Sequence, residues 1–359
     1  MGERFKKHKA LFAALYAVLL LALWYGFQNV KKSAADNMTG IGTQTVESME
    51  AVAADEKGNA DSEESDGAEE AAVAGAADAK DDGTVNGMSR KAYGGYLDAK
   101  VKFTGNDGIE FGIGDTVQKE LWTQTTIYAN NIPGAFVIDV CLPDDYDESI
   151  SYPVVYLTDC YWRRENYGEI KELYESGKTK EFILIGIGYP DNYDFDTIRG
   201  RDLLNDPDSF LSLIVNGVLP YAESNYNIDT SDRTFCGASY GGYFMVYSLF
   251  QSDGITKDVF QNYVLASPTF YARSYGQYLA DYEDAYWNRD NTVLKANVYM
   301  TVGADEETYF VRPFKNFIKR LEKRNYSGLN VVSKVYEGKE HYTVWVPTLL
   351  EGLTLYLSE

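Results

Sequence analysis

Between residues 134 and 359, hydrophobic positions form short strand-like runs that alternate with amphipathic helical stretches. The stretch at 152–160 contains a continuous apolar run, which is typical of a strand buried on both faces. The predicted strands cover 134–143, 152–160, 181–190, 233–239, 262–268, 297–305 and 330–338. The predicted helices cover 209–226, 240–251, 309–325 and 347–358. Strands that alternate with helices predict an α/β fold with a mainly parallel sheet and helices on both faces.

A different pattern occupies the N-terminus, where residues 10–30 form an uncharged, largely apolar run of 21 residues. This length suits one transmembrane helix. Four basic residues precede the run and two lysines follow it directly, which favours an uncleaved signal anchor over a cleaved signal peptide. The basic flank predicts a cytoplasmic N-terminus and an extracytoplasmic remainder of the chain.

Residues 33–92 contain no aromatic residue, no proline and no cysteine, and they are rich in Ala, Glu, Asp, Gly and Ser. Such a composition cannot bury enough apolar surface to offset the entropy of ordering, so we predict a disordered acidic linker. The sequence therefore divides into a basic tail with a transmembrane anchor at 1–32, the linker at 33–92 and one α/β domain at 93–359.

The charge and the cysteines exclude several classes of function. The net charge is −21, which argues against a nucleic-acid partner because phosphates require a basic face. Three cysteines, Cys141, Cys160 and Cys236, are too few and too widely spaced for a zinc site. We expect buried free thiols, although one disulfide between two of them stays open. The sequence predicts no cofactor and no metal.

The stretch "TFCGASYGGYF" at 234–244 contains the pattern G-x-S-x-G, with Ser239 at its centre. This pattern is common by chance and also fits a plain glycine-rich turn. Here an apolar strand precedes it and a helical stretch follows, so Ser239 is predicted at a sharp turn at the carboxyl edge of the sheet. The helix that begins at Tyr240 would direct free N–H groups towards this turn.

A serine hydroxyl needs a base to act as a nucleophile. The chain has two histidines, and His8 lies in the predicted cytoplasmic tail. His341 follows the last predicted strand, as a catalytic base does in the chain order serine, acid, histidine. The acid is expected after the strand at 297–305, where Asp305, Glu306 and Glu307 are consecutive. From these residues alone the choice among the three stays open.

With these motifs, residues 125–359 resemble the esterase family of α/β-hydrolases, which includes enterochelin-type siderophore esterases, feruloyl and acetylxylan esterases and S-formylglutathione hydrolase. The segments that carry the resemblance are "CLPDDYDESISYPVVYLTD", "GIGYPD", "RGRDL", "VLPYAESNYNIDTSDRTFCGASYGGY" and "LASPTF". The resemblance implies an α/β-hydrolase fold and hydrolysis of a carboxylic ester through an acyl-serine.

Carried over by position, the resemblance implies that Ser239 is the nucleophile, His341 the base and Glu306 the acid, with Asp305 as second choice. It also implies an oxyanion hole formed by the backbone N–H groups of Tyr240 and Cys160. Many members have glycine where this chain has Cys160 after Asp159. The pair Arg201–Asp202 would brace the loop beneath the site.

Together these observations predict a membrane-anchored, extracytoplasmic serine esterase. Its substrate would be a siderophore-type ester or a cell-surface carbohydrate ester. Two alternatives stay open: an envelope acyltransferase that uses the same acyl-serine, and a non-catalytic binding protein built on the same scaffold.

Overall fold

The computed structural model describes residues 84–191 and 193–358, and ten strands of this part form one sheet. The sheet order is β12-β11-β10-β9-β7-β8-β6-β5-β4-β3. The strands are β1 (Thr84–Val85), β2 (Met88–Ser89), β3 (Val101–Thr104), β4 (Glu110–Gln118), β5 (Thr123–Ala129), β6 (Phe136–Cys141), β7 (Tyr152–Thr158), β8 (Ile183–Gly188), β9 (Ile228–Ala238), β10 (Asn262–Ala266), β11 (Val293–Gly303) and β12 (Ser327–Tyr336). Strands β7 to β12 run parallel, whereas β3 to β6 add an antiparallel extension beside β8.

Ten α-helices accompany the sheet in the described part of the chain. They are α1 (Arg90–Asp98), α2 (Cys160–Arg163), α3 (Tyr167–Glu175), α4 (Phe195–Gly200), α5 (Pro207–Leu213), α6 (Leu219–Asn225), α7 (Tyr240–Leu249), α8 (Leu279–Asn288), α9 (Thr308–Arg324) and α10 (Trp345–Leu357). Two π-helical segments, Arg201–Asn205 and Ile214–Val218, link α4 to α5 and α5 to α6. The predicted helix at 209–226 is therefore one helical run broken by a π turn.

The hydrophobic core lies on both faces of the sheet, as the continuous apolar runs predict. Along β9, Phe235 packs into one cluster and Cys236 into the other, because successive strand residues point to opposite faces. Apolar residues of α5 to α9 cover the first face, and those of α3 and α10 cover the second. The predicted α/β fold, a mainly parallel sheet with helices on both faces, is confirmed for the domain.

The sequence pattern did not reveal β3, β4 or β5, nor α1. These elements have mostly exposed or half-buried side chains, so their apolar periodicity is weak. Residues 84–92, which the sequence assigns to the linker, contain β1, β2 and the first turn of α1, so the predicted boundary at residue 93 is too late. The Ala92 carbonyl accepts from the Gly134 N–H at 3.2 Å, and Tyr96 of the same helix is buried, so α1 is packed against the domain.

No helix within 84–191 or 193–358 is long and apolar enough to span a bilayer. The predicted transmembrane run at 10–30 lies outside the described residues, as does the predicted linker up to residue 83. Both therefore stay predictions from sequence.

Candidate active site

Four consecutive neighbours in the sheet, β9 to β12, direct their carboxyl ends to one edge, and the candidate catalytic residues follow these ends. Ser239 follows β9, Glu306 follows β11 and His341 follows β12. Parallel pairing brings together residues that are up to 102 positions apart in the chain. This is the edge at which open α/β sheets bind their ligands.

Ser239 occupies the turn between β9 and α7 with φ 58° and ψ −117°. A non-glycine residue in this region costs about 1–3 kcal/mol and persists only where its surroundings hold it. The Ser239 N–H donates to the Ala266 carbonyl at 2.9 Å, and the Ser239 carbonyl accepts from Tyr243 N–H at 2.9 Å. The predicted strand–turn–helix context of Ser239 is therefore present.

Two glycines allow this turn to form, because other atoms lie too close to their Cα atoms to leave room for a side chain. A Cβ on Gly237 would lie 2.6 Å from the carbonyl carbon of Gly241. A Cβ on Gly241 would lie 2.6 Å from Oγ1 of Thr158 and 3.1 Å from Oδ2 of Asp159. The glycine-rich pattern thus has a steric reason that is independent of catalysis.

The side chains of Ser239, His341 and Glu306 form one hydrogen-bonded chain. Nε2 of His341 lies 3.0 Å from Oγ of Ser239, and Nδ1 lies 2.8 Å from Oε2 of Glu306. Because a carboxylate only accepts hydrogen bonds, Nδ1 carries the proton and Nε2 is left to accept from the serine hydroxyl. The Glu306 side chain is fully buried, and that of His341 is 17% exposed.

The second oxygen of Glu306 is held from two sides. Oε1 accepts from the Gly303 N–H at 2.7 Å and from the Ser267 hydroxyl. Asp305 and Glu307 are both exposed. The structure therefore brings Glu306, and neither of its acidic neighbours, to the imidazole.

Tyr240 and Cys160, the two predicted oxyanion donors, are the first residues of α7 and α2. The first N–H groups of a helix have no acceptor within the helix. In α7 the first helical hydrogen bond runs from the Tyr243 N–H to the Ser239 carbonyl. The Tyr240 N–H precedes this bond and lies beside the turn. The Cys160 N–H follows Asp159, whose φ of 60° turns the chain sharply at the end of β7.

Two glycines leave space for the side chain of Cys160. A Cβ on Gly186 would lie 2.7 Å from the Cys160 Cβ, and a Cβ on Gly188 would lie 2.8 Å from its sulfur. Glycines on the neighbouring strand β8 thus give room to the side chain that replaces the usual glycine. Burial raises the pKa of the Cys160 thiol well above its ordinary value, so this group stays neutral.

The sequence analysis did not predict the ion pair between Arg199 and Asp159, which links the end of β7 to the end of β9. Arg199 donates from Nε to Oδ1 of Asp159 at 2.7 Å and from Nη2 to Oδ2 at 2.8 Å. Its Nη2 also donates to the Ala238 carbonyl, next to Ser239, at 3.2 Å. The Arg199 guanidinium lies over the rings of Trp162 and Tyr240.

The pair that was predicted to brace the loop, Arg201–Asp202, does form, with Nε 2.5 Å from Oδ1. Asp202 is buried and also accepts from the Tyr189 hydroxyl at 2.9 Å. The carboxylate that approaches the Ser239 turn belongs to Asp159, however, and its partner is Arg199. The motif "RGRDL" contains both arginines, but their partners could not be read from it.

Two further contacts touch the reacting groups. Oγ1 of Thr269 lies 3.3 Å from Oγ of Ser239. The Phe310 ring lies 4.2 Å from the imidazole of His341 and tilts by 31°. The contact of Thr269 could have been predicted from the segment "LASPTF", because Thr269 follows the end of β10 at the same sheet edge.

Exposed aromatic side chains surround this site. Tyr342 is 92% exposed and lies edge-on to His341. Tyr271 packs edge-on against Tyr309, and Tyr161 and Trp162 follow Cys160 on α2. The mouth of the site therefore presents several ring surfaces to solvent.

Two of the three predicted buried thiols, Cys160 and Cys236, are buried, whereas Cys141 is half-buried. Cys141, Cys160 and Cys236 are free in the structure. Burial raises the pKa of the Cys236 thiol as well. Within the described ranges, no group of three or more His, Cys, Asp and Glu residues is arranged to hold a metal ion.

The family comparison matches the chain over residues 129–356 to the family model Esterase, described as "Putative esterase". A comparison with curated protein sequences found no match. Among solved structures, the BES protein from Bacillus cereus is 23% identical with a TM-score of 0.58; the match covers 68% of this chain and 98% of that chain.

The siderophore hydrolase EstB from Aspergillus nidulans is 19% identical with a TM-score of 0.57, covering 68% of this chain and 98% of that chain. The enterobactin esterase FES from Shigella flexneri is 14% identical with a TM-score of 0.53, covering 66% of this chain and 59% of that chain. At these identities the likeness shows a shared fold.

Proposed function

Because the chain belongs to this esterase family, we propose that it is a serine esterase that hydrolyses a carboxylic ester through an acyl-enzyme on Ser239. The observation that carries the proposal is the continuous hydrogen-bonded chain from Ser239 through His341 to the buried Glu306. A solvated loop histidine would have no reason to be fixed at both ring nitrogens.

In the proposed reaction, Ser239 Oγ attacks the ester carbonyl carbon while its proton moves to Nε2 of His341. Glu306 keeps the imidazole in the required tautomer and stabilises the imidazolium that forms. The negative charge that develops on the carbonyl oxygen is stabilised by the N–H groups of Tyr240 and Cys160. The imidazolium then protonates the departing alkoxide, and the acyl group stays on Ser239.

Deacylation repeats these steps with water. His341 removes a proton from the water molecule as it attacks the acyl-serine, and then returns a proton to Ser239 Oγ. The Phe310 ring against His341 shields one face of the imidazole from solvent. In this scheme Arg199 and Asp159 act as positioning residues, since they tie the start of α2, where Cys160 lies, to the end of β9, which precedes Ser239.

For the substrate, we propose a siderophore-type ester or a cell-surface carbohydrate ester. The exposed rings of Tyr271, Tyr309 and Tyr342 around the mouth favour a substrate that contains a ring able to stack on them. Two proteins of the same fold are described as a siderophore hydrolase and an enterobactin esterase, which is in keeping with the first class.

For the location, we propose a single membrane anchor at 10–30 and an extracytoplasmic catalytic domain. The support is the 21-residue apolar run with its basic flank and the acidic segment that follows.

The test of the function is hydrolysis of a panel of acetyl, feruloyl and catecholate esters, combined with labelling by a fluorophosphonate probe. We expect turnover of at least one ester class and covalent labelling that depends on Ser239. A folded protein that binds a panel ester without either turnover or labelling would instead be a binding protein.

A further inference from the structure

An open groove of about 830 Å³ lies between α8 and α9, away from the catalytic residues. Its floor is apolar and its outer wall is basic. Phe270 and Phe317 form part of the floor, with their ring centroids 4.7 Å apart. On the rim, the Tyr278 ring is 38% exposed and the Arg273 guanidinium lies 4.3 Å from its centroid.

The basic wall is a stripe along α9. Arg312, Lys319 and Lys323 line the groove, are exposed, and form no ion pair with another described residue. Asn316 lies between Arg312 and Lys319 on the same helix face, because residues three or four positions apart in a helix are neighbours on its surface. From the helical rise of 1.5 Å, the stripe is about 17 Å long.

Nearby charges do not neutralise this stripe. Arg320 and Arg324 also line the groove, but they are paired with Glu283 and Asp284. Asp281 lines the groove as well, and its carboxylate accepts from the Tyr278 N–H at 2.8 Å as part of the α8 cap. Three unpaired cations on one stripe therefore stand out in a chain whose net charge is −21.

One short segment connects the groove to the catalytic site. Thr269 contacts the Ser239 hydroxyl, Phe270 forms the groove floor, and Tyr271 packs 5.2 Å from the Phe310 ring that stacks on His341. The groove floor and the catalytic site are therefore linked by three consecutive residues, 269–271.

We propose that this groove binds a linear acidic polysaccharide. Carboxylate groups of successive units would pair with Arg312, Lys319 and Lys323, and the apolar faces of sugar rings would lie on the floor and against Tyr278. The cations are spaced by about 6–10 Å of helix rise. This spacing suits a polymer with one charge per unit better than duplex nucleic acid, which carries one charge per about 1.7 Å. A concave groove also fits a single chain better than a flat lipid surface.

The test is binding of polygalacturonate to the full-length protein in neutral detergent, measured by isothermal titration calorimetry at low salt. We expect the double variant Lys319→Glu/Lys323→Glu to bind about tenfold more weakly, because two attractive pairs become repulsive. The matched control is Lys315→Glu, since Lys315 is exposed on the same helix but does not line the groove. Its affinity should stay within about twofold of the wild type, as expected for one exposed charge outside the groove.

Several outcomes would overturn the proposal. These are no binding by the wild type, equal weakening by Lys315→Glu, binding of polyphosphate as tight as that of polygalacturonate, or groove-dependent binding to vesicles of equal parts phosphatidylcholine and phosphatidylglycerol. If the double variant melts early, Arg312→Gln supplies the same comparison. Binding must also survive in Ser239→Ala, so the result does not depend on the proposed esterase activity.

Discussion

Nδ1 of His341 lies 2.8 Å from Oε2 of Glu306, whereas the adjacent carboxylate of Asp305 is exposed to solvent. The Asp305 N–H is bonded to the Lys339 carbonyl at 3.1 Å, which fixes the strand end and leaves its side chain outward. Both acids lie in the turn after β11, where the Glu306 N–H donates to the Gly303 carbonyl at 3.4 Å, and in this turn only Glu306 reaches the imidazole.

This relationship predicts different effects for the two amides. Glu306→Gln should lower kcat by up to about 10⁴, because the imidazole loses the partner that fixes its tautomer. Asp305→Asn, the matched control, should leave kcat near that of the wild type. Turnover of one activated ester by both purified variants checks the prediction. If Asp305→Asn is the impaired variant, the acid has been assigned to the wrong residue; if neither is impaired, Ser239 and His341 act as a dyad.

Ser239→Ala should abolish ester hydrolysis while the domain stays folded. In a comparable serine triad the nucleophile accounts for a rate factor on the order of 10⁶. Turnover of an activated ester and labelling by a fluorophosphonate should disappear together, with the circular dichroism spectrum unchanged. A variant that keeps a tenth of the wild-type turnover would rule out Ser239 as the nucleophile.

Arg199→Lys should lower kcat by about 10- to 100-fold with a smaller change in KM. Lysine cannot make the two parallel bonds to Asp159, and loop displacements of about 1 Å can cost 10²-fold in rate. The control is Arg201→Lys, since the carboxylate partner of Arg201 is Asp202 rather than Asp159. Equal losses in both variants would mean that the effect is on general stability and not on the loop that contains Cys160.

Gly241→Ala should both destabilise the domain and reduce activity. The added methyl would lie 2.6 Å from Oγ1 of Thr158, in a site without free space. Overpacking of this kind costs about 1–3 kcal/mol, measurable by urea unfolding. Gly254→Ala is the control, because the nearest atom to its added methyl lies 3.6 Å away, an ordinary contact. Unchanged stability in Gly241→Ala would show that the turn can relax.

Protease added to intact cells should release a fragment that contains the catalytic domain. The prediction follows from the basic flank before the apolar run at 10–30 and the acidic segment after it. Immunoblotting against the domain, with and without prior lysis, provides the measurement. Protection of the domain until lysis would place it on the cytoplasmic side.

The local features of this protein can be predicted from its amino-acid order. Apolar runs revealed the strands β6 to β11 and the main helices because most residues of those strands are buried. The predicted strand β12 lies at the sheet edge, and its side chains are exposed or half-buried. The G-x-S-x-G pattern located the turn at Ser239 because the close approach of Gly237 to Gly241 is a steric need within a few residues. The chain order of serine, acid and histidine was likewise visible without coordinates.

Which side chains come into contact depends on the tertiary structure. The choice of Glu306 over Asp305 depends on how β11 and the loop after β12 are placed, and the Asp159–Arg199 pair joins residues 40 positions apart. The antiparallel strands β3 to β5 escaped detection because many of their side chains are exposed and they gain stability from pairing with neighbours. Local periodicity records burial along one segment, whereas contacts between distant segments depend on sheet order and register, which no short stretch of sequence contains.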